Sequence, residues 1–311
     1  MARYGLDASP DEVVVCSGAQ HALTCCLTGL FRPGDRIAAD AQTYPGMKTL
    51  AAMLGVRLVP VAMDRRGMIP EKLDATCAKD SIKGLYLMPG VHNPTTATMD
   101  AERREAIAAV GRKHSLILIE DDAYDLTVQN ALPPVSSMMR ESSVYIAGLS
   151  KSLAAGLRVA FMASPRPLRR RLAQSVLNTV WMTPPLSAEL ACQWIKDGTA
   201  DHTVEIKRAE ARRRFLAAVE YLDDLVFYGQ PTSFFIWLRL PEPWRGHTFE
   251  AQARKAGVNV FGAEKFTIGD SHVPAAARLS LSGPADIDEL RQGLAVIRDL
   301  LHRPELAEEI P

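Results

Sequence analysis

Charge of one sign is what this chain most plainly lacks. Across 311 residues, 36 Lys and Arg balance 36 Asp and Glu, for a formal net charge of zero. A balanced chain carries no footprint of a non-specific polyanion binder, so no nucleic-acid partner is expected for it. Long apolar runs are missing too. The most hydrophobic early stretch, Val13 to Phe31, is broken by Ser17, Gly18, Gln20, His21, Thr24, Thr28 and Gly29. It falls short of the roughly 18 continuous apolar residues of a membrane span, and no membrane partner is expected. The opening MARYGLDASP has no apolar core of a secretory signal. Cysteine is scarce: Cys16, Cys25, Cys26, Cys77 and Cys192, an odd number with no C-x-x-C. That usage fits a reducing cytoplasm and not a disulfide framework. The seven histidines form neither H-x-x-x-H nor H-E-x-x-H, so no metal site is expected.

What is present is a globular composition, 47% hydrophobic and 23% charged. The first two thirds alternate short β-rich runs with helical stretches. The runs are Val13–Cys16, Arg36–Ala39, Val56–Val61, Leu85–Met88, Leu116–Ile119, Val144–Ala147 and Val159–Met162. Several are apolar on both faces, the pattern of a mostly parallel sheet with helices on both sides. From Asp201 to Leu222 the pattern becomes one long charged helix. Beyond it, Phe234–Leu238, Val258–Val260 and Arg278–Leu281 read as strands, with helices over Phe249–Ala256 and Ala285–Leu301. The expected organisation is an α/β domain over 1–200, a connecting helix over 201–223 and a smaller α+β domain over 224–311.

In open α/β sheets, ligands bind beyond the carboxyl ends of the strands. Ser17-Gly18-Ala19-Gln20 stands after the first run, Tyr44 after the second and Asn93 after the fourth. Glu120, Asp121, Asp122 and Tyr124 follow the fifth; Ser150 and Lys151 follow the sixth, with Arg158 seven residues on. This places an anion cradle, an aromatic face, an amide, an acid, a phenol, an amine and a guanidinium within reach of one crevice. Those are the groups pyridoxal phosphate needs: an amine for a Schiff base, a carboxylate for its pyridine nitrogen, donors for its phosphate and a flat surface for its ring.

The segment GLSKSLAAGLRVAFM, Gly148 to Met162, resembles the Schiff-base lysine segment of fold-type I aminotransferases. SGAQHAL, TYPG, HNPTT and IEDDAY occur in that family's order. The likeness is closest to the aminotransferase-like domain of MocR-type regulators of the GntR family, and to aminoadipate and aromatic aminotransferases. It covers nearly the whole chain but lacks the family's front end, including the winged-helix domain of the regulators. The resemblance implies transamination between an α-amino acid and a 2-oxo acid, with pyridoxal 5'-phosphate as cofactor and a homodimer as the working unit. A cofactor-binding effector domain of a regulator is the alternative.

Residue by residue, the resemblance makes Lys151 the Schiff-base amine and Asp121 the partner of the ring nitrogen, with Asp122 competing for that role. Tyr124 and Asn93 serve the cofactor's 3-hydroxyl, and Tyr44 lies against its ring. Gly18, Ala19 and Gln20, with Ser150 and Arg158, hold its phosphate. Asn93 and Arg278, in ARLSLSG, serve the substrate, the arginine binding its α-carboxylate. Two departures stand out. Thr96 occupies the place of the glycine in N-P-T-G, and Gly148 stands where a hydroxyl residue is usual. For Lys151 to act as a nucleophile near neutrality, partial desolvation beside Arg158 is expected.

Overall fold

The computed structural model describes residue 6, residues 8–128 and residues 131–307. Val13–Cys16 forms β1, and the chain turns at Gly18 into α1, Ala19–Leu30. Then come β2 (Arg36–Asp40), α2 (Pro45–Met53), β3 (Arg57–Val61) and the short hairpin β4 (Met63–Asp64) with β5 (Gly67–Met68). Proline opens both α2 and α3 (Pro70–Lys79), where its missing N–H costs nothing. β6 (Ile82–Leu87) follows. Asp100 caps α4 (Ala101–Lys113) by accepting from the Arg103 N–H. After it come β7 (Ile117–Asp122), α5 (Val135–Met138), β8 (Ser143–Gly148), the one-turn α6 (Leu149–Ser152) and β9 (Ala160–Ala163). Three helices follow: α7 (Arg166–Val180), α8 (Pro185–Lys196) and α9 (Thr199–Tyr221).

These strands make one seven-stranded sheet in the order β1-β9-β8-β7-β6-β2-β3. Only β9 runs against the others, pairing antiparallel with both β8 and β1. Every residue of β8 is buried, as expected for a strand covered on both faces. On one face, Ala38, Leu85 and Leu118 pack with Leu73 and Ile107 of α3 and α4. On the other, α1 packs on β8 and β9 and against α7.

The chain divides into two compact units between Ile206 and Lys207, inside α9, and Asn93–Thr96 groups with the later residues. The second unit adds β10 (Phe227–Tyr228), β11 (Phe235–Arg239), α10 (Gly246–Lys255), β12 (Phe261–Gly262), β13 (Ala276–Ser280) and α11 (Ile287–Leu301). Its sheet is antiparallel, ordered β10-β11-β13-β12. Its core centres on fully buried Trp244, edge-on to Phe249, with Leu238, Leu279 and Leu294. The strand expected over Val258–Val260 does not form; the pairing residues are Phe261 and Gly262. The Val258 N–H is taken by Ala253 O at the end of α10, so the chain leaves the helix before it can pair. Among the described residues no helix is long and apolar enough to cross a membrane. All five cysteines are free, Cys16, Cys25 and Cys26 being buried.

Arg104 ties this frame to the segment after β7. It is 2% exposed and donates to the carbonyls of Met99, Leu132 and Pro133 at 3.0, 3.2 and 2.9 Å. Arg104→Leu leaves three carbonyls without their donor and lowers stability by about 3 kcal/mol, as read from urea unfolding.

Candidate active site

Parallel strands end at a common edge. β1, β2, β7 and β8 therefore deliver Gly18, Tyr44, Asp121 and Lys151 to the same side of the first unit. Because β9 is reversed, its beginning lies where the others finish. Ala160 pairs with both Cys16 and Gly148, so Arg158, two residues earlier, reaches that edge as well.

Arg158 and Gly18 are in close register. Both have left-handed backbones, φ 50° and 88°. A Cβ built on Gly18 would lie 2.4 Å from Arg158 Nη2, so only glycine lets the guanidinium lie over the start of α1. Arg158 Nη1 donates to Ser150 Oγ at 3.3 Å and Nη2 to Ser17 O at 3.4 Å. The Gly18 N–H itself donates to Cys16 O at 2.9 Å. Gly18 therefore contributes an absent side chain and not a donor, while the first N–H groups of α1 point out of the helix start. The side chain of Gln20 is engaged with α2 and the residue before it. Its Nε2 donates to Gly46 O at 3.3 Å, and its Oε1 accepts from Tyr44 Oη at 3.1 Å. Gln20 thus orients Tyr44, whose ring crosses Gly46 so closely that a Cβ there would meet Cε1 at 2.4 Å.

Three successive acids end β7, and alternation sends them to different faces. Glu120 accepts from the Val135 and Ser136 N–H groups, at 3.0 and 2.6 Å, and from Ser136 Oγ. Asp122 accepts a short hydrogen bond from the Tyr145 hydroxyl. Asp121, on the opposite face, accepts from Tyr86 Oη at 2.9 Å through Oδ2 alone. Its Oδ1 is buried without a hydrogen-bond partner. Burial raises the Asp121 carboxyl to about 6, against the Tyr86 hydrogen bond that lowers it. Of the two acids competing for one role, Asp121 is thus the one with an acceptor left over. Tyr86 was not singled out from sequence. The only signal was a phenol set in the apolar run Leu-Tyr-Leu, where burial demands a partner.

Lys151 lies on α6 with Leu149 and Ser152 turned inward and is itself exposed. The desolvation expected from sequence is not provided: one helical turn buries two residues and leaves the other two, Ser150 and Lys151, outward. Tyr124 is half-buried just past β7, and its carbonyl accepts from the Thr127 N–H and hydroxyl.

Asn93 and Arg278 belong to the second unit and meet there. Arg278 Nη1 donates to Asn93 Oδ1 at 2.8 Å. The guanidinium carbon lies 5.1 Å from the ring centroids of Phe261 and Phe266 and 5.5 Å from that of Phe235. Such contacts hold an arginine in place without neutralising it. Thr96, nearby in sequence, has φ 59°, the backbone that the glycine of N-P-T-G adopts without strain. Among the described residues no group of three His, Cys, Asp or Glu could hold a metal.

The sequence profile of the family described as Aminotransferase class I and II matches residues 2–295. The chain belongs to this aminotransferase family. It is 39% identical over 299 residues to the uncharacterized HTH-type transcriptional regulator YdeF of Bacillus subtilis, covering 96% of this chain and 65% of the regulator. It is 27% identical to the 2-aminoadipate transaminase of Thermus thermophilus, covering 79% of this chain and 64% of that one. The fold-type I architecture is shared with LysN, the α-aminoadipate aminotransferase of Thermus thermophilus, complexed with N-(5'-phosphopyridoxyl)-L-leucine. The TM-score is 0.86 at 23% identity, over 95% of this chain and 78% of that one. The chain spans about a half to two thirds of the length of the first curated relatives it matches.

For an aminotransferase-family chain, two consequences are measurable. An acid whose folded pKa lies above its unfolded value weakens the fold when ionised. The penalty is absent below about pH 4 and complete above about pH 6, and reaches about 3 kcal/mol. Asp121→Asn in the cofactor-free protein therefore matches wild type at pH 4 and is more stable by up to that amount at pH 8, as read by urea titration. Gly18→Ala forces Arg158 off the start of α1 and weakens pyridoxal phosphate binding at least about tenfold, measured by absorbance titration.

Proposed function

We propose that this chain binds pyridoxal 5'-phosphate and moves an amino group between an α-amino acid and a 2-oxo acid. The observation that carries this reading is the bare Oδ1 of Asp121. It is a buried acceptor with a raised pKa, on the same sheet edge as a primary amine and an arginine-lined helix start. A buried oxygen lacking a donor suits a ligand that brings one. A protonated ring nitrogen is such a donor, and a phosphate at the ligand's other end suits Arg158, Ser150 and the first turn of α1.

When bound, the cofactor supplies an electron-poor ring that takes up the electron pair left at the substrate's α-carbon. The chain does the rest. Asp121 Oδ1 accepts from the ring nitrogen and keeps it protonated. Arg158, Ser150 and the N–H groups of Ala19 and Gln20 hold the phosphate, with Gly18 giving the clearance. Tyr44 lies against the ring, oriented by Gln20. Tyr124 and Asn93 donate to the 3-oxygen. Lys151 secures the cofactor and moves the α-proton at Nζ. Arg278 binds the α-carboxylate through a planar fork that suits two oxygens. The working unit is a cytoplasmic homodimer, and a second copy would cover the exposed Leu177, Val180, Trp181, Met182 and Leu186.

A second reading has its own support in the likeness to an HTH-type regulator. There the same site senses an amino compound as an effector domain and turns it over slowly or not at all. One experiment separates the two. Purified protein with pyridoxal phosphate develops a visible band that Lys151→Ala loses. Adding an α-amino acid shifts the band, and adding a 2-oxo acid restores it over many cycles in an enzyme. A shift without cycling supports the sensor. A wild-type protein that stays colourless overturns both.

A further inference from the structure

The two oxygens of Asp121 are not equivalent, and one residue makes them so. Tyr86 lies opposite Ile119 in the parallel register of β6 and β7, and Asp121 is two residues further, on the same face. The phenol is fully buried, and its hydroxyl donates to Oδ2 at 2.9 Å. The other titratable groups felt by this pair are Cys26 of α1, Tyr44 and Asp40. From β8, Asp121 faces Ile146, which carries no charge. Among the described residues no cation faces the carboxylate, and the phenol is the one group that favours its ionised form.

We propose that Tyr86 is a positioning residue: by donating to Oδ2 it fixes the orientation of Asp121, favours its anionic form and leaves Oδ1 as the acceptor for a cationic ring nitrogen. This rests on the reading of Asp121 given above. Without the phenol, burial acts on the carboxylate unopposed. A carboxyl that holds its proton at neutrality cannot keep a ring nitrogen charged. Tyr86 therefore acts on the cofactor only through Asp121.

Tyr86→Phe tests this, since it removes one oxygen and keeps the ring. In the cofactor-free protein the Asp121 carboxylate is followed by isotope-edited infrared titration, with Asp121→Asn assigning the band. The midpoint rises by about one pH unit or more in Tyr86→Phe. Pyridoxal phosphate affinity falls about tenfold at pH 7 and recovers as pH rises, so its pH profile moves with the carboxylate. In the Asp121→Asn background, Tyr86→Phe changes affinity no further. An unchanged midpoint overturns the proposal. So does an affinity loss that is independent of pH or persists in the Asp121→Asn background, because a purely structural defect behaves that way. If wild type takes up no cofactor, the functional reading fails by itself, and the infrared titration still decides whether Tyr86 controls the carboxylate.

Discussion

A half-satisfied carboxylate in a dry sheet edge is the constraint on which the rest depends. Asp121 is 6% exposed, has one hydrogen bond and presents one bare oxygen. Proteins rarely leave such a group unless a ligand completes it. Its neighbours show how local the distinction is. Glu120 and Asp122 end the same strand, yet Glu120 is met by two backbone N–H groups and a serine, and Asp122 by a tyrosine hydroxyl. Three acids in a row thus have three fates, set by strand alternation and by what lies on each face. The neighbouring acids are each met by partners within the fold, and Asp121 keeps one oxygen without a hydrogen bond.

The fold was legible because its signals are local. Doubly apolar runs such as Val144–Ala147 announce a covered sheet, and the carboxyl ends of those runs name the residues at its edge. The reversal of β9 was not legible, since strand direction depends on tertiary pairing. The strand misplaced onto Val258–Val260 shows the same limit: a β-branched run was captured by the end of α10 through the Val258 N–H. Within the site, residue types were readable and contacts were not. The sequence placed Gln20 and Gly18 at a helix start, but not that the Gln20 side chain bonds Tyr44 or that Gly18 makes room for Arg158. The aromatic surround of Arg278 arises from cross-strand neighbours, Phe235 on β11 and Phe261 on β12, that lie far apart in sequence.

The family relationships span regulators and enzymes. Under the proposed function the first unit would meet the same demand in either setting: an amine, an anion cradle and a charged partner for a ring nitrogen. On that reading, binding and the opening exchange with an amino compound would use the same groups, so a regulator and an enzyme would look alike here. On the same reading the two would diverge in the later steps, above all in the proposed proton transfer by Lys151.

The reversal of β9 has one more implication. Ser150, Lys151 and Arg158 all fall on the single crossover that joins β8 to β9, anchored at Gly148 and Ala160, which face each other in the sheet. Amine and guanidinium are therefore two marks on one ruler whose ends are pinned together. Under the proposed function, a ligand that met both groups would need an electrophile and an anion at a spacing that matches those marks. Inserting or deleting a residue in the crossover would change that spacing and would also shift Leu153 and Leu157, which the same crossover buries in the core.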